Sequence, residues 1–67
     1  MNKNFIVEFE AIGCNDDTLQ GVFNEETVVT EVEEFLKSRY GDRLNWYVIS
    51  ENSVNGVEEI FDSRRYA

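Results

Sequence analysis

"NGVEEIFDSRRY", residues 55–66, admits two conformations, and the choice between them decides the fold. Asn55-Gly56 is the dipeptide of a tight hairpin turn, because both residues accept the left-handed backbone that such turns require. A turn there makes Val57–Ser63 a strand that returns along the segment before it. Yet "VEEIFDSRRY" (57–66) echoes "VEEFLKSRY" (32–40), which has helical periodicity, and Asn55 and Glu58 stand at capping-box spacing. A second helix is therefore the alternative. The echo has no third copy and so does not define a repeat architecture. The hairpin signal is taken here as the stronger, giving an expected ββαββ order, with ββαβα as the alternative.

Immediately upstream, "LNWYVIS" (44–50) is rich in β-branched and aromatic residues and reads as a strand. Alternation puts Leu44, Trp46 and Val48 on one face and Tyr47 and Ile49 on the other, and both faces are apolar. Trp46 is expected in the core. Tyr47 and Ile49 are expected on the open side of the sheet with Ile6 and Ile12, an apolar patch of the kind that marks an interface.

The segment before this strand has the plainest periodicity of the chain. Asn24 is a good N-cap, Glu25 and Glu26 suit the positive end of a helix dipole, and Phe23 with Val28 has the spacing of a hydrophobic staple. Over 25–40, at about 100° per residue, Val28, Val29, Val32, Phe35, Leu36 and Tyr40 fall on one arc. Glu26, Thr30, Glu31, Glu33, Glu34 and Lys37 fall on the opposite one. Lys37 and Arg39 occupy the last turn, where cations are favoured, and Gly41 is a natural stop. Nearer the start, 4–12 alternates with Phe5, Val7, Phe9 and Ala11 on one side and Ile6, Glu8, Glu10 and Ile12 on the other. "GCNDDT" (13–18) supplies turn residues, and "LQGVF" (19–23) a second short strand with Leu19 and Phe23 together. The expected architecture is a small two-layer α+β domain, one antiparallel sheet with one helix on one face.

All 67 residues form one expected domain, small enough that oligomerisation is a natural source of added stability. Histidine is absent, which removes the commonest general base and metal ligand. Cys14 has no histidine partner and lies among acids, which raise a thiol's pKa and blunt its nucleophilicity. "NDDT" (15–18) offers oxygen ligands without the longer spaced array of a calcium loop, and no glycine-rich phosphate loop occurs. The expectation is a protein that is not an enzyme and carries no metal or cofactor. A single cysteine, no long apolar run and no signal-like start point to the cytoplasm.

Charge is the most informative property. The chain carries −8 at neutral pH. Residues 1–36 hold nine acids against one base, Lys3, whereas residues 37–67 hold five of each. Phosphate binding needs clustered Lys and Arg, so direct contact with nucleic acid is not expected. An acidic field steers a protein toward basic surfaces instead. Glu26, Glu31, Glu33 and Glu34 are the candidate partner-binding residues, with a solvated, merely solubilising helix face as the alternative. Ile6, Tyr47 and Ile49 are the candidate residues of a dimer or second interface.

In size, acidity and its single ββαββ-like unit, the chain resembles the small inhibitors that phages deploy against host defence nucleases, of the anti-CRISPR and anti-restriction type. The resemblance is one of composition and type over the whole chain, and no residue role transfers with it. It implies a binding inhibitor acting in the host cytoplasm on a larger protein with a basic nucleic-acid-binding surface. The competing expectation is a structural or assembly module, a homodimer joined through its sheet.

Overall fold

A hairpin closes the chain. In the computed structural model, which describes residues 2–65 (side chains of 14–16 excepted), Val54 and Asn55 form the turn and Gly56 follows with a φ of 114°. Ser53 stabilises it: its Oγ accepts from the Asn55 amide and donates to the Gly56 carbonyl, both at 3.3 Å. The glycine is thus the first residue of the returning strand rather than part of the turn. Its missing Cβ lets the chain enter the ladder through a backbone conformation other residues resist.

Five elements precede the terminal turn: β1 (Asn2–Ala11), β2 (Cys14–Asn24), α1 (Val28–Tyr40), β3 (Leu44–Ser53) and β4 (Gly56–Asp62). The order is ββαββ, with the tail a strand. Short 3₁₀ turns follow α1 (Gly41–Arg43) and β4 (Ser63–Arg65). The sheet runs β2-β1-β3-β4 with every neighbouring pair antiparallel. Strands β2 and β3 both flank β1, so they point the same way, and α1 carries the chain from one to the other across the sheet.

The helix starts three residues later than its sequence signals indicate. Asn24 is still paired with Asn2 in the β1–β2 ladder, so it cannot also cap a helix. Its side-chain oxygen instead accepts from the Glu26 amide at 2.8 Å, and its carbonyl from the Thr27 amide at 3.1 Å. Thr27 is the N-cap, its carbonyl accepting from the Glu31 amide at 2.9 Å. Phe23 and Val28 therefore do not form a staple across a cap, though both pack into the core. At the other end Gly41 adopts a φ of 56° and donates to the Lys37 carbonyl, ending the helix where expected.

Phe5, Val7, Phe9 and Ala11 are buried beneath Val28, Val32 and Leu36 of the helix, as alternation and helical periodicity indicate. Leu19 and Phe23 of β2 pack against this core from the side. Phe35, placed on the apolar arc by its spacing, is 48% exposed: it lies at the arc's margin, beyond the width of sheet the helix covers.

Strand β3 buries the opposite face from the one expected. Tyr47 and Ile49, 5% and 0% exposed, belong to the core, while Trp46 is only half-buried on the other side. The reason is a bulge. Glu10 pairs with Trp46 but Ala11 pairs with Leu44, leaving Asn45 as an extra residue in β3. The bulge brings Leu44 and Tyr47, three positions apart, to the same face, so alternation counted from Leu44 comes out inverted. Ile49 pairs with Val7 and Tyr47 with Phe9, which carries both side chains under the helix. The interface expected from Ile6, Tyr47 and Ile49 is thus not a surface: of the three, Ile6 alone lies on the open face. Ile12, expected beside them, is 63% exposed just beyond β1, where its amide donates to the Arg43 carbonyl at 2.9 Å.

Leu36 is fully buried against β1, and truncating it leaves a cavity between the layers. Leu36→Ala is expected to cost about 2–5 kcal/mol, read as a lowered midpoint in urea unfolding followed by circular dichroism. An unmoved midpoint would remove Leu36 from the core.

Candidate functional site

The four helix-region glutamates do not form one row. Glu26 lies in the turn before α1 and is exposed. At about 100° per residue, Glu31 and Glu33 diverge by about 160° and point along opposite flanks of the helix, with Glu34 between them on the solvent side. Glu31 accepts from the Thr27 hydroxyl at 3.0 Å. Glu33 is bound to Lys37 at 2.7 Å, one helical turn on, and this pair raises the lysine's pKa. Among the described residues, Glu26, Glu31 and Glu34 make no ion pair within the chain.

The cations, by contrast, are largely consumed internally. Lys3 reaches Glu25 at 2.9 Å and Glu51 at 3.4 Å, tying the start of β1 to the segment after β2 and to β3. Hydrogen bonding between them raises the Lys3 pKa and lowers that of Glu25. Arg43 caps the helix end, donating to the Tyr40 and Arg39 carbonyls at 3.4 Å, and its guanidinium lies 5.9 Å from the centre of the Tyr40 ring. Arg65 pairs with Glu59 at 3.1 Å.

Arg64 belongs to a tighter assembly on the open face of the sheet. Asp62 accepts from its Nε and Nη2 at 3.0 and 2.9 Å and from its backbone amide at 3.0 Å. The guanidinium lies over the indole of Trp46, 4.6 Å from the ring centre. On its other edge Trp46 donates from Nε1 to Glu10 at 2.8 Å. A chain Glu10–Trp46–Arg64–Asp62 thus crosses β1, β3, β4 and the final turn, and folds both arginines back onto the acidic body. It was hidden in the sequence because it depends on Trp46 facing outward. Tyr66, which could have joined the tail's return, lies outside the described residues, as do the side chains of Cys14, Asn15 and Asp16.

On the helix side, a cleft of about 360 Å³ opens between α1 and the β3–β4 edge. Tyr47 and Phe61 stack at its base with ring centres 5.5 Å apart and planes 26° from parallel. Glu33 and Lys37 form the helix wall, and Asn45, Trp46 and Ser63 the opposite rim. Ser63 is held in place because its Oγ accepts from the Tyr47 amide at 2.9 Å. Burial, with a further contribution from Glu33, raises the Tyr47 pKa, so the phenol stays protonated across the neutral range. Spacing on the helix places Glu33 on the wet face; the fold also makes it the wall of a cavity.

Among the described residues, no three carboxylate, thiol or imidazole side chains gather closely enough to hold a metal ion. Nor, among them, is any helix long and apolar enough to cross a membrane. No protein-family model, no curated protein and no solved structure matches the chain. The surface has to be interpreted from its own geometry.

The Arg64 guanidinium, through its hydrogen bonds, holds the Asp62 carboxyl below its ordinary pKa. A carboxylate depressed in this way stabilises the fold fully above its unfolded pKa, about 4, and loses that contribution as pH falls through the lower folded value. Arg64→Ala should therefore lower the urea midpoint relative to wild type at neutral pH, with the gap closing on acidification below about pH 4. Trp46 emission should change with the loss of the stacked cation. A gap independent of pH would mean that Arg64 acts through packing alone.

Proposed function

We propose that this protein is a small acidic binding module that occupies a basic, nucleic-acid-binding surface on a larger protein, as an inhibitor of the kind phages direct at host nucleases. One observation carries the proposal: the fold spends its cations internally and leaves carboxylates of the first half of the chain facing water. Lys3, Lys37, Arg64 and Arg65 are each tied to a carboxylate of the same molecule, whereas Glu26, Glu31 and Glu34 are exposed. A net charge of −8 on so small a body then presents an outward negative field with few competing cations. Basic grooves that bind phosphates are the surfaces such a field complements.

The second reading, an assembly module, rests on the edge of the sheet rather than its face. Strand β4 is protected as edges usually are, by Glu58, Glu59 and a bulge where Ser50 and Ile49 pair with Glu59 and Phe61. Strand β2 is the opposite edge, and its stretch Thr18–Asn24 carries no charge. Val22 there is 67% exposed. A second copy could add antiparallel to β2 and extend the sheet.

Exposed ion pairs contribute roughly 0–1 kcal/mol each, so single substitutions are expected to matter little. Reversing Glu26, Glu31 and Glu34 together to Lys is expected to slow association with the partner captured from a host lysate by about tenfold or more at low salt. Reversing Glu58 and Glu59 is the control for charge alone. Unchanged association of the triple variant would leave these glutamates as a solvated face.

Sedimentation velocity checks the assembly reading. Dimers joined at β2 should be lost on Val22→Lys and should persist or tighten as salt screens the like charges of the two copies. A wild type that stays monomeric at all accessible concentrations would eliminate the β2 dimer.

A further inference from the structure

We infer that the cleft between α1 and the β3–β4 edge is a socket for a single arginine side chain presented by the basic partner; this rests on the acidic-module reading above and assigns its anchor. A guanidinium asks for two things at once, a flat apolar surface to stack on and a carboxylate to meet its fork of donors. The cleft has both. Phe61, half-buried over Tyr47, and Leu44 form an apolar floor, and the Glu33 carboxylate stands on the helix wall. The Asn45 amide and the Ser63 hydroxyl on the far rim add acceptors for remaining donors. At about 360 Å³ the cleft lies at the small end of ligand-binding cavities, a size suited to one long side chain rather than a cofactor.

Two features of the molecule favour arginine over an anion or a neutral group. Glu33 and Lys37 cancel each other locally, so the sign of the incoming group is set by the field of the whole protein, which is −8. Lys37 is held by one exposed pair, its side chain 62% accessible, and can swing away while a bidentate guanidinium takes its place on Glu33. The chain also already satisfies an arginine by this chemistry at the same rim: Arg64 lies over the Trp46 indole and is gripped through two nitrogens by Asp62. Lysine, a point charge without a plane, would gain the carboxylate but not the stacking surface.

The test is a titration of the full chain with an oligoarginine peptide and an oligolysine peptide of equal length, followed by NMR and by Trp46 fluorescence. Oligoarginine is expected to bind more tightly and to shift the signals of Phe61, Leu44 and Trp46. Glu33→Gln should weaken oligoarginine binding by roughly tenfold, and Glu34→Gln, one residue away on the open helix surface, by no more than roughly twofold. Lys37→Ala should tighten it by freeing Glu33. All three positions are exposed or half-exposed, so the fold survives each change. Equal binding of both peptides, with Glu33→Gln and Glu34→Gln indistinguishable, would overturn the socket while leaving the acidic module standing. No binding of either peptide would overturn both.

Discussion

The contact between β1 and α1 supports everything else in the molecule. Phe5, Val7 and Phe9 leave the sheet on one face and meet Val28, Val32 and Leu36 of the helix, all of them at most 2% exposed. Burying a large apolar side chain stabilises by roughly 1.5–3 kcal/mol, and a chain of 67 residues has few such contacts to spare. Because β1 lies between β2 and β3, this contact also fixes the position of both neighbours. Tyr40 extends it at the helix end, its ring 5.2 Å from that of Phe9.

The bulge at Asn45 has wider consequences than its single residue suggests. It lets Leu44 join the core without forcing Trp46 in after it, and so frees the indole for the open face. There it receives Arg64 and binds Glu10, fastening the final turn across the sheet. The same turn supplies Ser63 to hold the Tyr47 amide and to form one rim of the cleft. One extra residue in a ladder thus determines the core face of β3, the seating of the tail and the walls of the cavity beside the helix.

Charge is distributed by the same logic. Cations sit where they tie elements together: Lys3 spans the segment after β2 and β3, Arg43 closes the helix, and Arg64 and Arg65 seat the tail. These pairs lie largely at the surface, where each contributes little to stability. Their larger effect is to remove positive charge from the outward field. What faces a partner is the residue of that pairing, and it is acidic.

The fold and the candidate surface were legible in the sequence to different degrees. Patterns that repeat within one element determined themselves: the alternation of Phe5, Val7, Phe9 and Ala11, the helical arc through Val28, Val32 and Leu36, the stop at Gly41 and the hairpin before Val57 all follow from local geometry and the side of each residue that dislikes water. The α+β architecture and the acidic imbalance follow from these and from counting. Asn24 could not be assigned from its neighbours, because its pairing with Asn2 across the sheet prevailed over its capping preference. The facing of Trp46 and Tyr47 was equally beyond local reading: both faces of their strand are apolar, and only the unequal pairing against Glu10 and Ala11 decides between them. The separation of Glu31 from Glu33, one on each flank of α1, gained meaning only once a strand edge closed over the second to form a cleft. Local patterns fix which residues seek burial, but a strand with two apolar faces takes its orientation from the partner it pairs with, and that information lies in the tertiary structure.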